Sequence, residues 1–308
     1  MTNLIQYKTL NKESPIGIIG LGLVGTAIAE RLLEAGQAVC GFDLKIERCE
    51  HLRACGGTVA ASPAALANQT RRLILAVFDD GDIERALWGE DGVMRATTLP
   101  HVIVSTTTSD PERVIETARR AKAEGVPILD ATISGTSVQV RQRDSIMMIG
   151  GDEKAVALCD ELFEMLAKQW FHVGDAGAGA RAKLVINLVL GLNRAALGEG
   201  LAFAERLGLD TSALIGVLKA SAAYSQVMDI KGDKMLARDY TVQGRLSQHA
   251  KDVSLILAQA KRLGMRLPMS AMHDELLKQA IVDGDGELDN SAVVEVIRRQ
   301  RFEPGKKA

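Results

Sequence analysis

Short apolar runs alternate with segments of helical periodicity over the first half of the chain. Six runs predict strands, because they are apolar on both faces, as strands buried between two helix layers are. They lie at 16–19, 38–42, 73–78, 102–105, 128–131 and 146–149. Helical segments are predicted between them, near 24–35, 46–55, 63–67, 83–87 and 111–124. Ser62-Pro63 and Asp110-Pro111 predict capped starts for two of these helices. This alternation predicts an α/β fold with a doubly wound parallel sheet.

Beyond Gly174 the strand pattern ends and the chain becomes helical. Small residues at 174–179 predict a hinge, and a pattern from about 180 to 207 predicts one helix on the order of 40 Å long. Later helices are predicted at 212–220, 247–263, 268–282 and 291–301. We divide the chain into an N-terminal extension (1–14), an α/β domain (15–175) and an all-α domain (176–308) joined by a long interdomain helix. That helix needs a second surface, which predicts a homodimer or homotetramer.

A glycine-rich turn joins the first predicted strand to the first helix. Its sequence is Gly20-Leu21-Gly22-Leu23-Val24-Gly25. In this G-x-G-x-x-G pattern the first glycine permits a tight turn, the second lets the backbone approach a pyrophosphate, and the third allows close packing of helix on strand. The helix N-terminus adds N–H groups and a positive dipole end. The order strand, glycines, helix predicts a Rossmann domain that binds NAD or NADP through these six residues.

Asp43 ends the second predicted strand, about 20 residues after the glycines, where a carboxylate can accept hydrogen bonds from the adenosine ribose. This carboxylate favours NAD, because it would repel the 2′-phosphate of NADP. Lys45 and Arg48 follow closely enough to weaken that repulsion. NAD is therefore the predicted cofactor, with NADP as the alternative.

Composition excludes several classes of protein. The 37 basic and 39 acidic residues leave a net charge of -2, so no excess charge favours nucleic acid or an anionic membrane. The longest apolar stretch, near 184–192, is far shorter than the roughly 20 residues of a membrane span. Four cysteines without CxxC spacing, and no secretion signal, predict a cytoplasmic protein.

Four segments together resemble the β-hydroxyacid dehydrogenase family, which includes 3-hydroxyisobutyrate dehydrogenase, 2-hydroxy-3-oxopropionate (tartronate semialdehyde) reductase and, more distantly, 6-phosphogluconate dehydrogenase. They are the glycine-rich start at 17–36, the stretch DATISGT at 130–136, the stretch GAGARAKLVIN at 177–187, and Lys251-Asp252. The resemblance covers nearly the whole chain. It implies a dehydrogenase that transfers hydride reversibly between a nicotinamide cofactor and a small 3-hydroxy acid or its semialdehyde, such as 3-hydroxyisobutyrate, glycerate or threonate.

The third segment carries the most specific signal. Lys183 and Asn187 are four residues apart and share one face of the long helix. By resemblance Lys183 is the acid/base, and Asn187 hydrogen-bonds the reacting hydroxyl or the carboxylate. The helix is apolar nearly all round from 182 to 192, as a buried helix is, so its polar residues need partners.

The stretch at 130–136 predicts the substrate-binding loop. Ser134, Gly135 and Thr136 follow the fifth predicted strand at its carboxyl end, where hydroxyls and N–H groups can hold a carboxylate. By resemblance Ser134 belongs to the catalytic set. Many family members have a second glycine where Thr136 stands, and glycines are also usual at Gln139 and Arg143. One hypothesis is that Gln139 or Arg143 recognises an extra polar or anionic group on a larger substrate; the alternative is a solvated loop.

Three further residues are predicted to contact the cofactor. Phe78 and Thr106 end the third and fourth predicted strands, and Thr106 resembles the threonine of the family's S-T motif. Lys251 is assigned by resemblance alone, to the nicotinamide end of the site, with Asp252 fixing its neighbours.

No metal is predicted, because the five histidines show no close pair and no cysteine arrangement of metal-ligand type. Two alternatives to a hydroxyacid dehydrogenase remain. An imine reductase-like enzyme shares this architecture but usually lacks a lysine at the position of Lys183. A non-catalytic dinucleotide-binding module would not need Ser134, Lys183 and Asn187.

Overall fold

The computed structural model describes residues 14–300. The predicted N-terminal extension therefore lies, except for Ser14, outside the described residues. The chain forms two compact units that divide between Lys183 and Leu184, later than the boundary after Asp175 that the sequence predicted.

The first unit is built on one eight-stranded sheet in the order β3-β2-β1-β4-β5-β6-β7-β8. The strands are β1 (Ile16–Ile19), β2 (Val39–Phe42), β3 (Thr58–Val59), β4 (Arg72–Leu75), β5 (Val102–Ser105), β6 (Ile128–Ser134), β7 (Ile146–Gly150) and β8 (Gln169–Gly174). The first six strands are parallel, so the carboxyl ends of β1, β2, β4, β5 and β6 lie along one edge. This is the edge at which doubly wound sheets bind ligands.

The six predicted strands are present, and the structure adds two. β3 has only two residues, and β8 is largely exposed, so neither forms the buried apolar run that marked the others. The prediction of a parallel sheet was wrong for β7, which runs antiparallel to β6. The connection between β6 and β7 contains only the five-residue helix α6, whereas a parallel crossover needs a dozen or more residues.

Helices cover both faces of the sheet. They are α1 (Leu23–Glu34), α2 (Ile46–Ala54), α3 (Pro63–Gln69), α4 (Asp80–Trp88), α5 (Pro111–Ala123), α6 (Ser137–Arg141), α7 (Glu153–Ala157) and α8 (Asp160–Leu166). Ser62 and Asp110 cap α3 and α5 ahead of a proline in the first turn, as the sequence predicted. The residues of β1 alternate between two apolar clusters, with Ile16 and Ile18 in one and Ile19 in the other. The sheet therefore has a core on each face.

In the described part of the second unit, up to residue 300, the regular elements are helices, and one isolated β-bridge pairs Arg245 with Asp289. The helices are α9 (Ala178–Arg206, which begins in the first unit), α10 (Thr211–Ala220), α11 (Val227–Ala237), α12 (Leu246–Arg262), α13 (Pro268–Val282) and α14 (Val293–Arg299). The sequence missed α11, because Lys231 lies on its inner face and obscures the apolar pattern. Lys231 is buried and paired with Asp289 at 2.8 Å.

Helix α9 has 29 residues. Among the described helices it alone is long and apolar enough to cross a membrane by length and composition, a test that core helices also pass. The sequence prediction that 182–192 is buried all round was wrong for this chain, because Val185 and Val189 are exposed. One face of α9 is therefore apolar and open to solvent.

Candidate functional site

The three glycines of the loop after β1 have different surroundings. Gly20 has a φ of +92°, and a Cβ there would lie 2.6 Å from the carbonyl oxygen of Ala76. A Cβ on Gly25 would lie 1.8 Å from the oxygen of Gly20. At Gly22 the nearest atom is the Arg48 Nη1, 3.9 Å away. Gly20 and Gly25 thus shape the turn, whereas Gly22 leaves open space where a phosphate can approach the backbone.

Helix α1 begins immediately after this space. Its N-cap is Gly22, which has no side chain that could accept the N–H groups of the first residues of the helix, Leu23 and Val24. The first N–H groups of a helix have no partner within it. Together with the dipole they suit an anion, so this loop fits the pyrophosphate of a dinucleotide.

Asp43, at the end of β2, is nearly buried and strongly bonded. One carboxylate oxygen accepts the amide of Leu21 at 2.7 Å, and the other accepts the amide of Lys45 at 2.9 Å. The guanidinium of Arg48 also lies 3.1 Å from this carboxylate. A ribose hydroxyl at Asp43 would therefore share the carboxylate with Arg48, a cation that could also face a 2′-phosphate.

Phe78 and Thr106 lie at the same edge. β4 ends at Leu75, so Phe78 lies in the following loop and not in the strand as predicted; its side chain is 49% exposed. Thr106 follows β5, is buried, and donates its hydroxyl to the carbonyl of Leu75 at 3.0 Å. The backbone amide of Thr106 donates to the same carbonyl at 2.8 Å, so both groups of Thr106 join β5 to β4.

The predicted substrate loop lies beyond the last residue of β6, Ser134. A Cβ on Gly135 would lie 2.8 Å from the Cβ of Ser145. Thr136 caps α6 in a reciprocal pair: its hydroxyl accepts the amide of Gln139 at 3.2 Å, and the Gln139 side chain accepts the amide of Thr136 at 2.9 Å. Thr136 and Gln139 therefore fix the start of α6.

Arg143 also has a structural contact. It adopts a left-handed conformation with a φ of 57° in the turn before β7. Its Nε donates to the carbonyl of Ala167 at 3.2 Å. Gln139 belongs to the cap of α6. Gln139 and Arg143, which were predicted as candidates for recognising a larger substrate, therefore both make contacts that fix the conformation of this loop.

The carboxylate of Asp130 holds the start of α9 against β6, a role that was not predicted from the sequence. This carboxylate is buried and accepts the amides of Gly177 at 3.0 Å and Ala180 at 2.8 Å. Burial raises the pKa of Asp130, although the amide hydrogen bonds oppose this. A Cβ on Gly179 would lie 2.4 Å from the carbonyl oxygen of Asp130, so the helix can approach the strand only with glycine there.

Lys183 and Asn187 both lie on α9, one turn apart. Lys183 is half-buried in the first unit. Asn187 is buried in the second unit and donates its amide to the carboxylate of Asp252 on α12 at 2.8 Å. This hydrogen bond fixes the amide of Asn187 and leaves its carbonyl group available to another donor.

Two histidines lie against α9 near Asn187. His249 on α12 and His273 on α13 are buried, with ring centroids 5.2 Å apart. A Cβ on Gly191 would lie 2.6 Å from His249 Nε2 and 2.8 Å from His273 Cε1. Burial and the charge of Arg194 lower the pKa of His273 to about 4, against the opposing charge of Asp274. His273 is therefore neutral near pH 7.

Lys251 precedes Asp252 on α12. Its side chain is mostly buried, and its Nζ lies 3.7 Å from the carboxylate of Asp252. The second unit thus brings Asn187, Lys251 and Asp252 together. In the first unit the glycine loop, Asp43, Thr106 and Ser134 share the carboxyl edge of the sheet.

Two family models match the chain. The NAD binding domain of 6-phosphogluconate dehydrogenase matches residues 15–174, and the NAD-binding model of NADP-dependent 3-hydroxyisobutyrate dehydrogenase matches residues 177–297.

Individual proteins are similar over nearly the whole chain. An L-threonate dehydrogenase of Cupriavidus necator is 30% identical, over 91% of this chain and 95% of that protein. A 2-hydroxy-3-oxopropionate reductase of Escherichia coli is 29% identical, over 92% and 96%. The crystal structure of a 3-hydroxyisobutyrate dehydrogenase from Salmonella typhimurium has a TM-score of 0.84 at 28% identity, covering 92% of this chain and 100% of that one.

Proposed function

Because the chain belongs to the β-hydroxyacid dehydrogenase family and is an NAD(P)-dependent oxidoreductase acting on CH–OH groups, we propose that its substrate is a small 3-hydroxy acid or the matching semialdehyde. The similar proteins act on 3-hydroxyisobutyrate, threonate and 2-hydroxy-3-oxopropionate. Acids of this size and charge suit the short polar loop at Ser134. The observation that carries the proposal is Asn187, held by Asp252 one helical turn from Lys183.

In the proposed mechanism Lys183 is the acid/base. The nicotinamide, when bound, supplies the hydride acceptor for oxidation and the donor for reduction. In oxidation the neutral amine of Lys183 takes the hydroxyl proton as hydride leaves the carbon, and in reduction its ammonium returns the proton to the carbonyl oxygen. Asn187, on the same helix face, hydrogen-bonds the reacting group and holds the carbon in line for transfer.

The loop after β6 is proposed to hold the substrate carboxylate. Ser134 supplies a hydroxyl and Gly135 a backbone N–H, and Thr136, whose amide is donated to Gln139, supplies its hydroxyl. The cap between Thr136 and Gln139 gives this loop a fixed shape before substrate binds. A preformed loop reduces the entropy cost of binding.

We propose NAD as the preferred cofactor, with NADP as the alternative. The loop from Gly20 to Gly25 would hold the pyrophosphate, and Asp43 would bind the ribose hydroxyls. Phe78 and Thr106 are proposed to line the cofactor, and Lys251 its nicotinamide end. Arg48 weakens this preference and keeps NADP as the alternative, since it neutralises the carboxylate that would otherwise repel a 2′-phosphate.

The proposed roles of the two domains follow the domain boundaries that were predicted from the sequence. Residues 15–175 are proposed to bind the cofactor, and residues 176–308 to form the substrate-binding domain that assembles a homodimer or homotetramer. The exposed apolar face of α9 supports that assembly. We propose a cytoplasmic location, in which the four free cysteines stay reduced.

The test is a substrate and cofactor panel on the wild type and on Lys183→Ala. The wild type should oxidise at least one of 3-hydroxyisobutyrate, glycerate or threonate, measured by absorbance of the reduced nicotinamide, with higher kcat/KM for NAD than for NADP. Lys183→Ala should lower kcat by about 10² to 10⁴, the usual contribution of a positioned acid/base, without changing Tm.

The matched control is Arg181→Ala, which removes an exposed cation from the same helix two residues earlier. Its kcat should stay within about twofold, as expected for a surface residue away from the chemistry. Full turnover by Lys183→Ala, or reduction of cyclic imines without turnover of any hydroxy acid, would contradict the proposed function.

A further inference from the structure

Helix α2 carries a histidine, His51, and a cysteine, Cys55, follows directly after the last residue of the helix. His51 Nε2 and Cys55 Sγ are 3.6 Å apart. A tetrahedral Zn²⁺ with Zn–N of about 2.0 Å and Zn–S of about 2.3 Å places these two atoms about 3.5 Å apart. The pair therefore already has the separation that a shared zinc ion requires.

A third ligand comes from the neighbouring helix α1. Glu30 Oε1 lies 2.8 Å from His51 Nε2, and the three ligand atoms of Glu30, His51 and Cys55 all lie within 4.8 Å of one another. In a zinc site the nitrogen and oxygen ligands are about 3.3 Å apart, given Zn–ligand distances of about 2.0 Å. Glu30 and His51 would thus need to separate by only about half an ångström.

The charges around the cluster suit a divalent cation. The carboxylate of Glu30, which Arg141 already pairs with, and the thiolate of Cys55 carry two negative charges, while His51 binds as the neutral imidazole. Burial raises the pKa of Glu30, but hydrogen bonds from His51 and Arg141 outweigh it and leave the pKa below its usual value, so the ligand is ionised. Arg48, which lines one pocket with Glu30, His51 and Cys55, is already paired with Asp43.

A second layer of contacts orients the carboxylate. Arg141 on α6 bonds Glu30 Oε2, which leaves Oε1 directed at His51. Outer partners of this kind, which fix a ligand's orientation, are a common feature of protein metal sites. A chance surface ion pair between Glu30 and His51 would need neither the arginine nor the cysteine.

We propose that Glu30, His51 and Cys55 form an accessory Zn²⁺ site that links α1 to α2, with the fourth position open to solvent. The proposal is independent of the catalytic assignment. Residue spacing does not reveal this site, because Glu30 lies 21 residues before His51 and only the fold brings them together. The linked helix α2 also carries Arg48, one turn before His51, so the ion would steady the residue that pairs with Asp43.

The test is titration of untagged, reduced, full-length protein with Co²⁺ and then Zn²⁺. Co²⁺ should produce a thiolate-to-metal charge-transfer band in the near ultraviolet and the intense visible bands of a four-coordinate site, at one ion per chain. Zn²⁺ should abolish both. Because Cys40, Cys49 and Cys159 are buried, the charge-transfer band reports on Cys55.

Substitutions assign the ligands. Cys55→Ser should remove the charge-transfer band, and His51→Ala and Glu30→Gln should each weaken Zn²⁺ binding about a hundredfold, while Arg141→Gln should weaken it about tenfold. His101→Ala, at a histidine outside the cluster, should bind as the wild type does. Circular dichroism and Tm without metal confirm that each variant is folded.

Zn²⁺ should also raise the Tm of the wild type, by mass action on the folded state, and not that of Cys55→Ser. Absence of a charge-transfer band in the folded wild type, or its persistence in Cys55→Ser, would overturn the proposal. Equal Zn²⁺ affinity in the wild type and His51→Ala would do so as well.

Discussion

A single glycine, Gly191, sets how closely three helices pack in the second unit. It lies on the face of α9 that also carries Asn187, and the rings of His249 and His273 fill the space where a side chain would be. Close packing at this point brings α12 near enough for Asp252 to accept the amide of Asn187. The position of a predicted substrate-binding residue thus depends on the absence of a neighbouring side chain.

Gly191→Ala should therefore destabilise the protein, although alanine is the better helix former. The added methyl group meets ring atoms at 2.6 and 2.8 Å, and overpacking of this kind costs about 1 to 3 kcal/mol. The matched control is Gly200→Ala on the same helix, where the added Cβ meets no described atom within 4 Å. That change should stabilise by about 0.5 to 1 kcal/mol. Urea unfolding measures both; equal effects of the two changes would contradict this account.

His273 makes stability depend on pH. Its pKa is lowered by burial to about 4 in the folded protein, against about 6.5 in an unfolded chain. The unfolded state therefore binds more protons below pH 6.5, and the contribution of His273 is lost as the pH falls toward 4. By pH 4.5 the loss should reach about 2 to 3 kcal/mol.

The measurement is urea unfolding of the wild type and His273→Gln at pH 7.0 and 4.5. Glutamine does not titrate, so the advantage of the wild type over the variant should shrink by that amount at the lower pH. If the difference between the two proteins were the same at both pH values, His273 would not titrate as proposed.

Helix α9 is held at its first turn by an interaction that joins distant parts of the chain. Asp130 on β6 accepts the amides of Gly177 and Ala180, and Thr132 on the same strand donates its hydroxyl to the carbonyl of Gly179 at 3.0 Å. Lys183 lies one turn further along the helix than Gly179. The strand therefore sets the position from which Lys183 projects.

Asp130→Asn should weaken this attachment, because an amide offers one acceptor oxygen where the carboxylate offers two, and its NH₂ group would face an N–H. We expect a loss of about 1 to 3 kcal/mol, the cost of a buried unsatisfied group, together with a lower kcat from displaced Lys183. Asp152→Asn is the control, since Asp152 caps the short surface helix α7 and should cost about 1 kcal/mol or less with kcat unchanged. Unaltered stability and kcat in Asp130→Asn would contradict the role of this attachment.

At the scale of the whole molecule, the apolar surface of α9 is the feature that a single chain leaves unexplained. Val185, Val189 and Phe203 have 64%, 51% and 63% of their surface exposed. Apolar residues repeated along one helix are expected to be covered by another subunit. This supports assembly through α9.

Val189→Glu should accordingly shift the protein toward a smaller species, because burying an unpaired carboxylate in an apolar interface costs several kcal/mol. Size-exclusion chromatography with light scattering at several concentrations measures the mass. Leu263→Glu, at an exposed leucine just beyond α12, should leave the mass unchanged. A wild type with the mass of one chain at micromolar concentration would refute assembly through α9.

The sequence by itself determined the features that depend on neighbouring residues: the buried runs of six strands, the glycine turn before α1, the proline-led caps of α3 and α5, and the length of α9. Local periodicity and backbone freedom suffice for these, since a buried strand or a tight turn restricts its own residues. Only the tertiary structure decided the direction of β7, the attachment of α9 to Asp130, the cap that includes Gln139, the histidines facing Gly191, and the meeting of Glu30 with His51 and Cys55. Most of these depend on contacts between segments far apart along the chain, and residue spacing does not reveal which distant surfaces pack together.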